Sequence, residues 1–359
     1  MDKIKQILKP LFKPAIAMGA AFAIGGVLLV LAGYDVNTAF KALWDASFKN
    51  LRSFTVTINR SSPIIFTGLA IAIAFRANAM NMGAEGQFLF GAIGATWVGL
   101  TFTTLPGFIL IPLMIIVGAA FGAFWALIPA FLKIKYEVSE IITTIMFNYV
   151  ALHFIGFLVR GPWRDTGQAE PQSFPIATQG FLPELLPKTR LHFGYFLGIL
   201  MAIGLFYLLF KTYIGYEIRA VGLNKDAART AGISAEKTLL GTMLLSGALA
   251  GMGGAIELGS LHYLIEGISP GHGWTGIAVS VLATNNPLGI IFTSFLFGAL
   301  SSGATSMQRA AGVSASFVQI FQGIMIIGIA LATLQTMKKS PKKEVKQELK
   351  QGLKKEGVA

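Results

Sequence analysis

Cysteine is absent from the 359-residue chain, which excludes a disulfide framework, a thiolate metal site and a lipid-modified cysteine. Charge is scarce: Asp, Glu, Lys and Arg together make up 13% of residues, against roughly a quarter in soluble domains. No G-x-x-x-x-G-K-S/T stretch occurs, so the chain has no P-loop with which to hydrolyse ATP. An H-E-x-x-H pattern and a Ser/His/Asp arrangement are missing as well. The four histidines (His153, His192, His262 and His272) are scattered without ligand spacing, so no metal is assigned. What is abundant is apolar: 54% of residues, with a mean hydropathy of +0.65. That balance excludes disorder, a nucleic-acid-binding domain and most soluble enzymes, and places the bulk of the chain in lipid.

Stretches free of Asp, Glu, Lys and Arg run over 14–34, 61–75, 86–132, 141–159, 191–210, 238–256, 267–308 and 310–337. A helix crosses the hydrocarbon core with about 20 residues. Six runs therefore hold one span each. The runs 86–132 and 267–308 are too long for one crossing and hold two, broken at Pro106-Gly107 and at Asn285-Asn286-Pro287. The expected fold is an all-α integral membrane protein of about ten transmembrane helices with broken or re-entrant segments. The 15-residue run 61–75 is expected to extend upstream past Arg60, whose head can snorkel to the interface.

Basic residues mark the cytoplasmic side of membrane proteins. With the N-terminus inside, the inner segments 1–13, 76–85, 133–140, 211–237 and 338–359 carry 20 of the 29 Lys and Arg. N-in and C-in is the expected orientation. Residues 1–13 then form a basic cytoplasmic N-terminus, 14–337 the membrane domain, and 338–359 a Lys-rich cytoplasmic tail. The N-terminus mimics a signal peptide, but no small-x-small cleavage site follows the 21-residue apolar run, so an uncleaved first span is expected. In the tail, Val345, Leu349 and Leu353 make an apolar stripe among lysines, which suits either a helix on anionic lipid or a solvated tail.

Small-xxx-small pairs, Gly118 with Gly122 and Gly247 with Gly251, fall inside spans and read as ordinary close helix packing. Polar segments at membrane depth say more. One is Asn78 to Gln87, where Glu85 starts a helix at its positive dipole end, with Arg76 as a possible partner. Such irregular backbone is covered by protein or lines a wet cavity; a cap with a cytoplasmic turn and a pathway role are both open. The other is Gly271 to Gly276, followed by an apolar stretch over 274–284 of only 11 residues, too short to cross. Each half thus has a small-residue helix, a Gly-rich break and a second apolar helix, a weak internal repeat. Asn148 sits near the middle of its uncharged run, where a buried amide must be bonded or face water. Glu85, Gln87, Asn148, Asn285 and Asn286 are the candidate lining of a polar pathway. The inner loop 211–237, with mixed charge and glycine breaks, suits docking on a soluble partner or a solvated connection.

Four stretches carry a resemblance: Asn81-Met-Gly-Ala-Glu85-Gly-Gln87, Val138-Ser-Glu140 through Asn148-Tyr149, Arg219-Ala-Val-Gly222 through Gly232, and Gly276 through Asn286-Pro287-Leu288-Gly289. Over roughly 60–335 the chain resembles the membrane permease subunits of ABC importers of the branched-chain amino acid, ribose and nucleoside class, and within it the nucleoside (guanosine-type) permeases. The resemblance implies a multi-pass protein of the bacterial cytoplasmic membrane that imports nucleosides by alternating access. It implies three partners: a second permease (the same or a different chain), a cytoplasmic ATPase that binds ATP-Mg, and an extracellular substrate-binding lipoprotein. It implies no cofactor in this chain and no nucleic acid. ABC permeases dock on the ATPase through an E-A-A-x-x-x-G core, and here Asp226-Ala227-Ala228 with Gly232 matches, Asp replacing Glu; Arg219 and Gly222 complete the coupling stretch. A trailing I-x-L-P is absent.

Three alternatives stand beside this reading. The solute is a branched-chain amino acid or a sugar such as ribose. Or the chain is a stand-alone channel or gradient-driven carrier, which the polar Asn286-Pro287 and Asn78-Ala79 breaks faintly suggest and the long inner loop opposes. A membrane enzyme or scaffold is the least supported, because no catalytic constellation is present.

Overall fold

A computed structural model describes residues 22–187, 189 and 191–314, with isolated positions 19, 317, 320, 323 and 324. The basic N-terminus 1–13, most of the apolar run 310–337 and the Lys-rich tail 338–359 lie outside the described residues. Among the described residues there is no β-strand, only two isolated bridges, Arg164 with Ser173 and Gln172 with Ile265.

The helices in chain order are α1 (Phe22–Leu31), α2 (Val36–Phe48), α3 (Leu51–Arg76), α4 (Ala84–Thr101), α5 (Gly107–Tyr136), α6 (Glu140–Arg160), α7 (Gly194–Lys211), α8 (Tyr213–Leu223), α9 (Lys225–Thr230), α10 (Ala235–Leu261), α11 (His272–Leu282) and α12 (Pro287–Ala311). Six of them, α3, α5, α6, α7, α10 and α12, are long and apolar enough to cross a membrane. Of the other expected spans, most of 310–337 and the first part of 14–34 lie outside the described residues, and two fall short for physical reasons. Helix α4 has 18 residues but spends its first turn on Glu85 and Gln87, and α11 has only 11 residues.

Chain punctuation sets the ends. Asn50 caps α3 by accepting the Ser53 amide at 2.8 Å, and the helix then runs unbroken past Arg60, as expected from the short run. The break at Pro106-Gly107 is where α5 begins, and Pro287 opens α12, the first-turn position where a missing N–H costs nothing. Sequence and structure differ at Glu257. The uncharged run ends there, but α10 continues to Leu261, because a single carboxylate on a buried helix face does not stop the backbone ladder.

The described residues divide into two compact units, one of those up to position 41 with those from position 307 on, the other of residues 42–306. In the first, the rings of Phe22 and Phe40 lie 5.9 Å apart. In the second, the core is built where α4, α5, α6 and α10 meet, around Phe88, Leu110, Met114, Ile155 and Leu258. The approach of α4, α5 and α10 is backbone to backbone. A Cβ on Gly251 would lie 2.3 Å from the Gly118 carbonyl, and one on Gly122 would lie 2.3 Å from the Gly247 carbonyl. The two small-residue pairs are therefore opposite sides of one seam, where lipid supplies no hydrophobic drive and close van der Waals contact does the holding.

The segment 161–193 is strapped to the C-terminal end of α10. The amides of Ser173, Ile176 and Leu182 donate to the carbonyls of Leu264, His262 and Gly259 at 2.9, 2.9 and 3.0 Å. Arg160 pairs with Glu266 at the same end.

Candidate functional site

Two non-helical breaks lie inside the helical unit, and each is held by side chains from elsewhere in the chain. The first spans Asn78 to Gly83, between α3 and α4. Asn81 and Gln87 are both buried and face each other amide to amide: each Nδ2 or Nε2 donates to the other's oxygen at 3.0 Å. Asn81 also donates to the Ser246 hydroxyl at 2.8 Å and accepts the Gly83 amide at 2.9 Å. The Ser246 hydroxyl in turn donates to the Ala70 carbonyl at 2.6 Å. Asn148 from α6 clasps the other side. Its oxygen accepts the Gly86 amide and its Nδ2 donates to the Met82 carbonyl, each at 2.8 Å, while the Thr144 hydroxyl accepts the Met82 amide at 3.2 Å. Backbone that leaves the helix in a dry interior must find such partners, and here amide side chains supply them.

The second break involves α11. Its first turn meets the first turn of α4: a Cβ on Gly273 would lie 2.3 Å from the Glu85 backbone nitrogen. The Glu85 carboxylate sits between the two helix starts, accepting the Gly273 amide at 2.6 Å with Ser269 as a further partner. Each helix start carries roughly half a positive charge, so one carboxylate offsets two dipoles. Thr67 of α3 donates to the His272 carbonyl at 2.9 Å.

Arg76 serves the opposite end of α11. Its Nε donates to the Asn285 carbonyl at 3.1 Å and its Nη2 to the Thr284 carbonyl at 3.4 Å. Those two residues form the turn into α12 with φ of 53° and 55°, a left-handed conformation costly for side chains with a Cβ. Ser280 donates to Asn285 Oδ1 at 2.9 Å, and Asn286 Oδ1 accepts the Leu288 amide at 3.0 Å, capping α12. Arg76 is thus not the partner of Glu85 that its place in the sequence suggested. An 11-residue helix separates them, about 16 Å at 1.5 Å per residue.

The five candidate pathway residues consequently fall into two groups around the breaks. Gln87 and Asn148 belong to the clasp on 78–83. Glu85, Asn285 and Asn286 bracket α11. All five are engaged with backbone or with neighbouring amides and hydroxyls of this chain. Two contributors were not singled out from the sequence: Asn81 and Ser246. Asn81 stood inside the polar segment. Ser246 is hidden in a run of small residues, so it carried no local signal.

The inner segment folds as α8 and α9. Thr212 caps α8 through the Gly215 amide at 3.2 Å, and Asn224 caps α9 through the Asp226 and Ala227 amides, each at 3.0 Å. The six candidate coupling residues divide by direction. Asp226, Ala227 and Gly232 are exposed, Gly232 at φ 84° ending the turn. Ala228 is buried against Val221 and Ala235. Gly222 is pressed on the end of α3, where a Cβ would lie 2.0 Å from the Arg76 carbonyl. Arg219 stacks on Phe210, its guanidinium carbon 5.3 Å from the ring centroid. Asp226 and Glu236 both pair with Arg229. Tyr213, Tyr216 and Leu223 are exposed apolar residues on α8.

At the end of α10 a cavity of about 370 Å³ is lined by Leu182, Glu184, His192, Ser260, His262 and Tyr263. Burial pushes His192, just before α7, down to about 4, and its neutral Nδ1 accepts the Gly194 amide at 3.1 Å. Among the described residues no cluster of three or more His, Asp or Glu could hold a metal ion. The distinctive property of the two breaks is mechanical: a short helix held at both ends by the segment 76–85.

Residues 53–330 match the family described as branched-chain amino acid transport system / permease component. The chain is 37% identical to the guanosine ABC transporter permease protein NupP of Bacillus subtilis, over 90% of this chain and 94% of that one. It is 33% identical to the nucleoside ABC transporter permease protein NupB of Lactococcus lactis, over 92% of each chain. It is 34% identical to the glucose ABC transporter permease protein TsgB13 of Haloferax volcanii, over 88% of this chain and 85% of that one. A second guanosine ABC transporter permease protein of Bacillus subtilis, NupQ, is 27% identical over 67% of this chain and 78% of its own. No solved structure matches the chain.

Proposed function

The chain belongs to the branched-chain amino acid transport system permease family, and we propose that it is the membrane permease subunit of an ATP-driven importer for nucleosides. The observation that carries the reading is similarity along nearly the whole chain to two permeases named for guanosine and nucleosides. Such a protein is multi-pass and resides in the cell membrane, as its six long apolar helices require.

The proposed topology has ten passes with both termini in the cytoplasm, supported by the bias of Lys and Arg toward the inner segments. Residues 262–284 then make one pass from an irregular stretch followed by α11. Irregular backbone at that depth is tolerated where protein covers it or where it lines a cavity. The membrane domain is 14–337, flanked by basic cytoplasmic ends.

In this reading the exposed face of α8 and α9, with Asp226, Ala227 and Gly232, docks on a cytoplasmic ATPase that binds ATP-Mg, and this chain hydrolyses nothing. Large apolar side chains at Tyr213, Tyr216 and Leu223 beside that face favour a protein partner over bare solvent. A second permease subunit pairs with this one, a reading supported by the two guanosine permease proteins of one bacterium that both resemble this chain. An extracellular binding lipoprotein delivers the solute. Alternating access follows from ATP favouring one conformation over another, and the polar breaks that hold Glu85, Gln87, Asn148, Asn285 and Asn286 are where the pathway opens and closes.

A sugar is the second reading, favoured by the similarity to a glucose permease protein at 34% identity. Uptake of radiolabelled guanosine by cells carrying the whole transporter, with competition by other nucleosides, glucose, ribose and leucine, decides between them. Competition by nucleosides alone is expected. No transporter-dependent uptake of guanosine, with uptake of radiolabelled glucose or ribose in the same cells, would transfer the reading to a sugar.

A further inference from the structure

We propose that Arg76 is the positioning residue that transmits movement of the inner segment to the short helix α11, a proposal that rests on the importer reading above. Three contacts meet at this side chain. Its guanidinium donates to the carbonyls of Thr284 and Asn285, at the turn where α11 gives way to α12. It stacks on the Phe210 ring, with its carbon 5.4 Å from the centroid, and the guanidinium of Arg219 from α8 lies 5.3 Å from the same centroid. Its own backbone carbonyl is covered by Gly222 of α8, so tightly that a Cβ there would lie 2.0 Å away.

Arg76 is therefore gripped by α8 through backbone contact and through a shared aromatic ring, and it grips α11 through two charge-assisted hydrogen bonds. Among the described residues neither Arg76 nor Arg219 forms an ion pair. The link is made by cation–π contact with the Phe210 ring and by a two-nitrogen grip on carbonyls, which a lysine's single point charge reproduces only in part. The turn it holds is also a strained one, since Thr284 and Asn285 both have positive φ. Two αL residues in succession persist only when their surroundings over-determine them, so the turn is poised to change when its clamp moves. At the far end of α11 the Gly273 amide is bonded to Glu85, so a shift of α11 reaches the first turn of α4 directly.

The test uses the complete transporter, with ATPase, second permease and binding protein, in proteoliposomes. Radiolabelled guanosine imported per ATP hydrolysed is measured for wild type, Arg76→Gln, Arg76→Lys and Phe210→Leu, together with co-purification of the ATPase. The expected result is an assembled complex in which Arg76→Gln lowers the imported-to-hydrolysed ratio by about tenfold, within the usual range of coupling between sites. Arg76→Lys and Phe210→Leu fall between it and wild type. A ratio equal to wild type in Arg76→Gln overturns the proposal. So does a loss of uptake and hydrolysis in equal proportion, which marks a structural role only. Should Arg76→Gln fail to insert, Phe210→Leu decides: a lowered ratio supports the link and an unchanged one overturns it. Wild-type uptake that needs no ATPase sinks the importer reading itself, and the wild-type control alone reveals that case.

Discussion

Glu85, in the first turn of α4, accepts a 2.6 Å hydrogen bond from the amide of Gly273 in the first turn of α11, 188 residues further along the chain. Two helices thus start at one point inside the bundle, and one carboxylate serves both. Neutralising it leaves two positive helix ends facing each other in a medium of low dielectric.

Replacing Glu85 with Ala is expected to slow uptake by about tenfold or more, the scale set by losing a charge-assisted bond worth about 1.5–3 kcal/mol, without abolishing membrane insertion. Glu85→Asp, shorter by one methylene, is expected to be intermediate. Normal uptake by the alanine variant in cells that insert it at wild-type levels would remove Glu85 from the moving parts.

Asn148→Ala deprives the Gly86 amide and the Met82 carbonyl of their side-chain partner. Each orphaned buried backbone group costs about 1–3 kcal/mol, so the thermal midpoint of the detergent-solubilised chain is expected to fall by several degrees. Thr144→Val, which removes the acceptor of the Met82 amide and a local bond back to the Glu140 carbonyl but orphans no second group of the 78–83 break, is expected to cost less. Equal midpoints for Asn148→Ala and wild type would show that the clasp holds nothing.

The glycine seam separates close approach from ordinary helix propensity. Gly251→Ala puts a methyl 2.3 Å from the Gly118 carbonyl and is expected to cut the yield of folded protein severely. Gly241→Ala, on the same helix but with nothing within 4 Å of its Cβ, is expected to leave the yield unchanged or to raise stability by up to about 1 kcal/mol. Equal yields from the two variants, read by size-exclusion chromatography in detergent, would contradict the seam.

On the inner face, Ala227→Trp and Asp226→Lys alter exposed positions and are expected to abolish co-purification of the ATPase while the chain still inserts. Ala228→Trp, whose side chain is buried against Val221 and Ala235, is expected to lower the amount of inserted chain instead. Full ATPase recovery with both exposed variants would move the docking surface elsewhere.

His192 gives a dependence on pH. Its folded-state value of about 4 lies below the ordinary 6.5, so the unfolded chain takes up a proton that the folded chain refuses. Its neutral form costs nothing above about pH 6.5; as pH falls from there toward 4, stability is progressively lost, by up to about 3 kcal/mol at 1.36 kcal/mol per unit. The thermal midpoint of wild type should fall over that window more steeply than that of His192→Asn. Parallel curves would count against a buried neutral imidazole.

Much of this architecture was legible locally. Uncharged length announced helices, and Pro106-Gly107 and Asn286-Pro287 marked where α5 and α12 begin, since proline and glycine act through their own backbone. The start of a helix at Glu85 and the brevity of α11 were legible for the same reason. The coupling residues were found as a string, but their division into an exposed face at Asp226 and Ala227 and an inward face at Gly222 and Ala228 follows from how α8 and α9 rest on α3 and α10. Arg76 was visible as a lone charge beside a polar break, and its partner was misjudged because nearness in sequence says nothing of which end of α11 it meets.

The amino-acid sequence by itself determined that this protein lives in lipid and where the chain must leave the helix. Those are consequences of composition and of the demand that every backbone group in hydrocarbon be bonded, and each is settled within a few neighbouring residues. Only the tertiary structure decided who answers that demand at the breaks. Asn81 finds Ser246, Asn148 finds Gly86, Glu85 finds Gly273 and Arg76 finds Asn285, across 165, 62, 188 and 209 residues of chain. Such pairings depend on which helix faces pack, and that is set by glycine seams and side-chain volumes acting together.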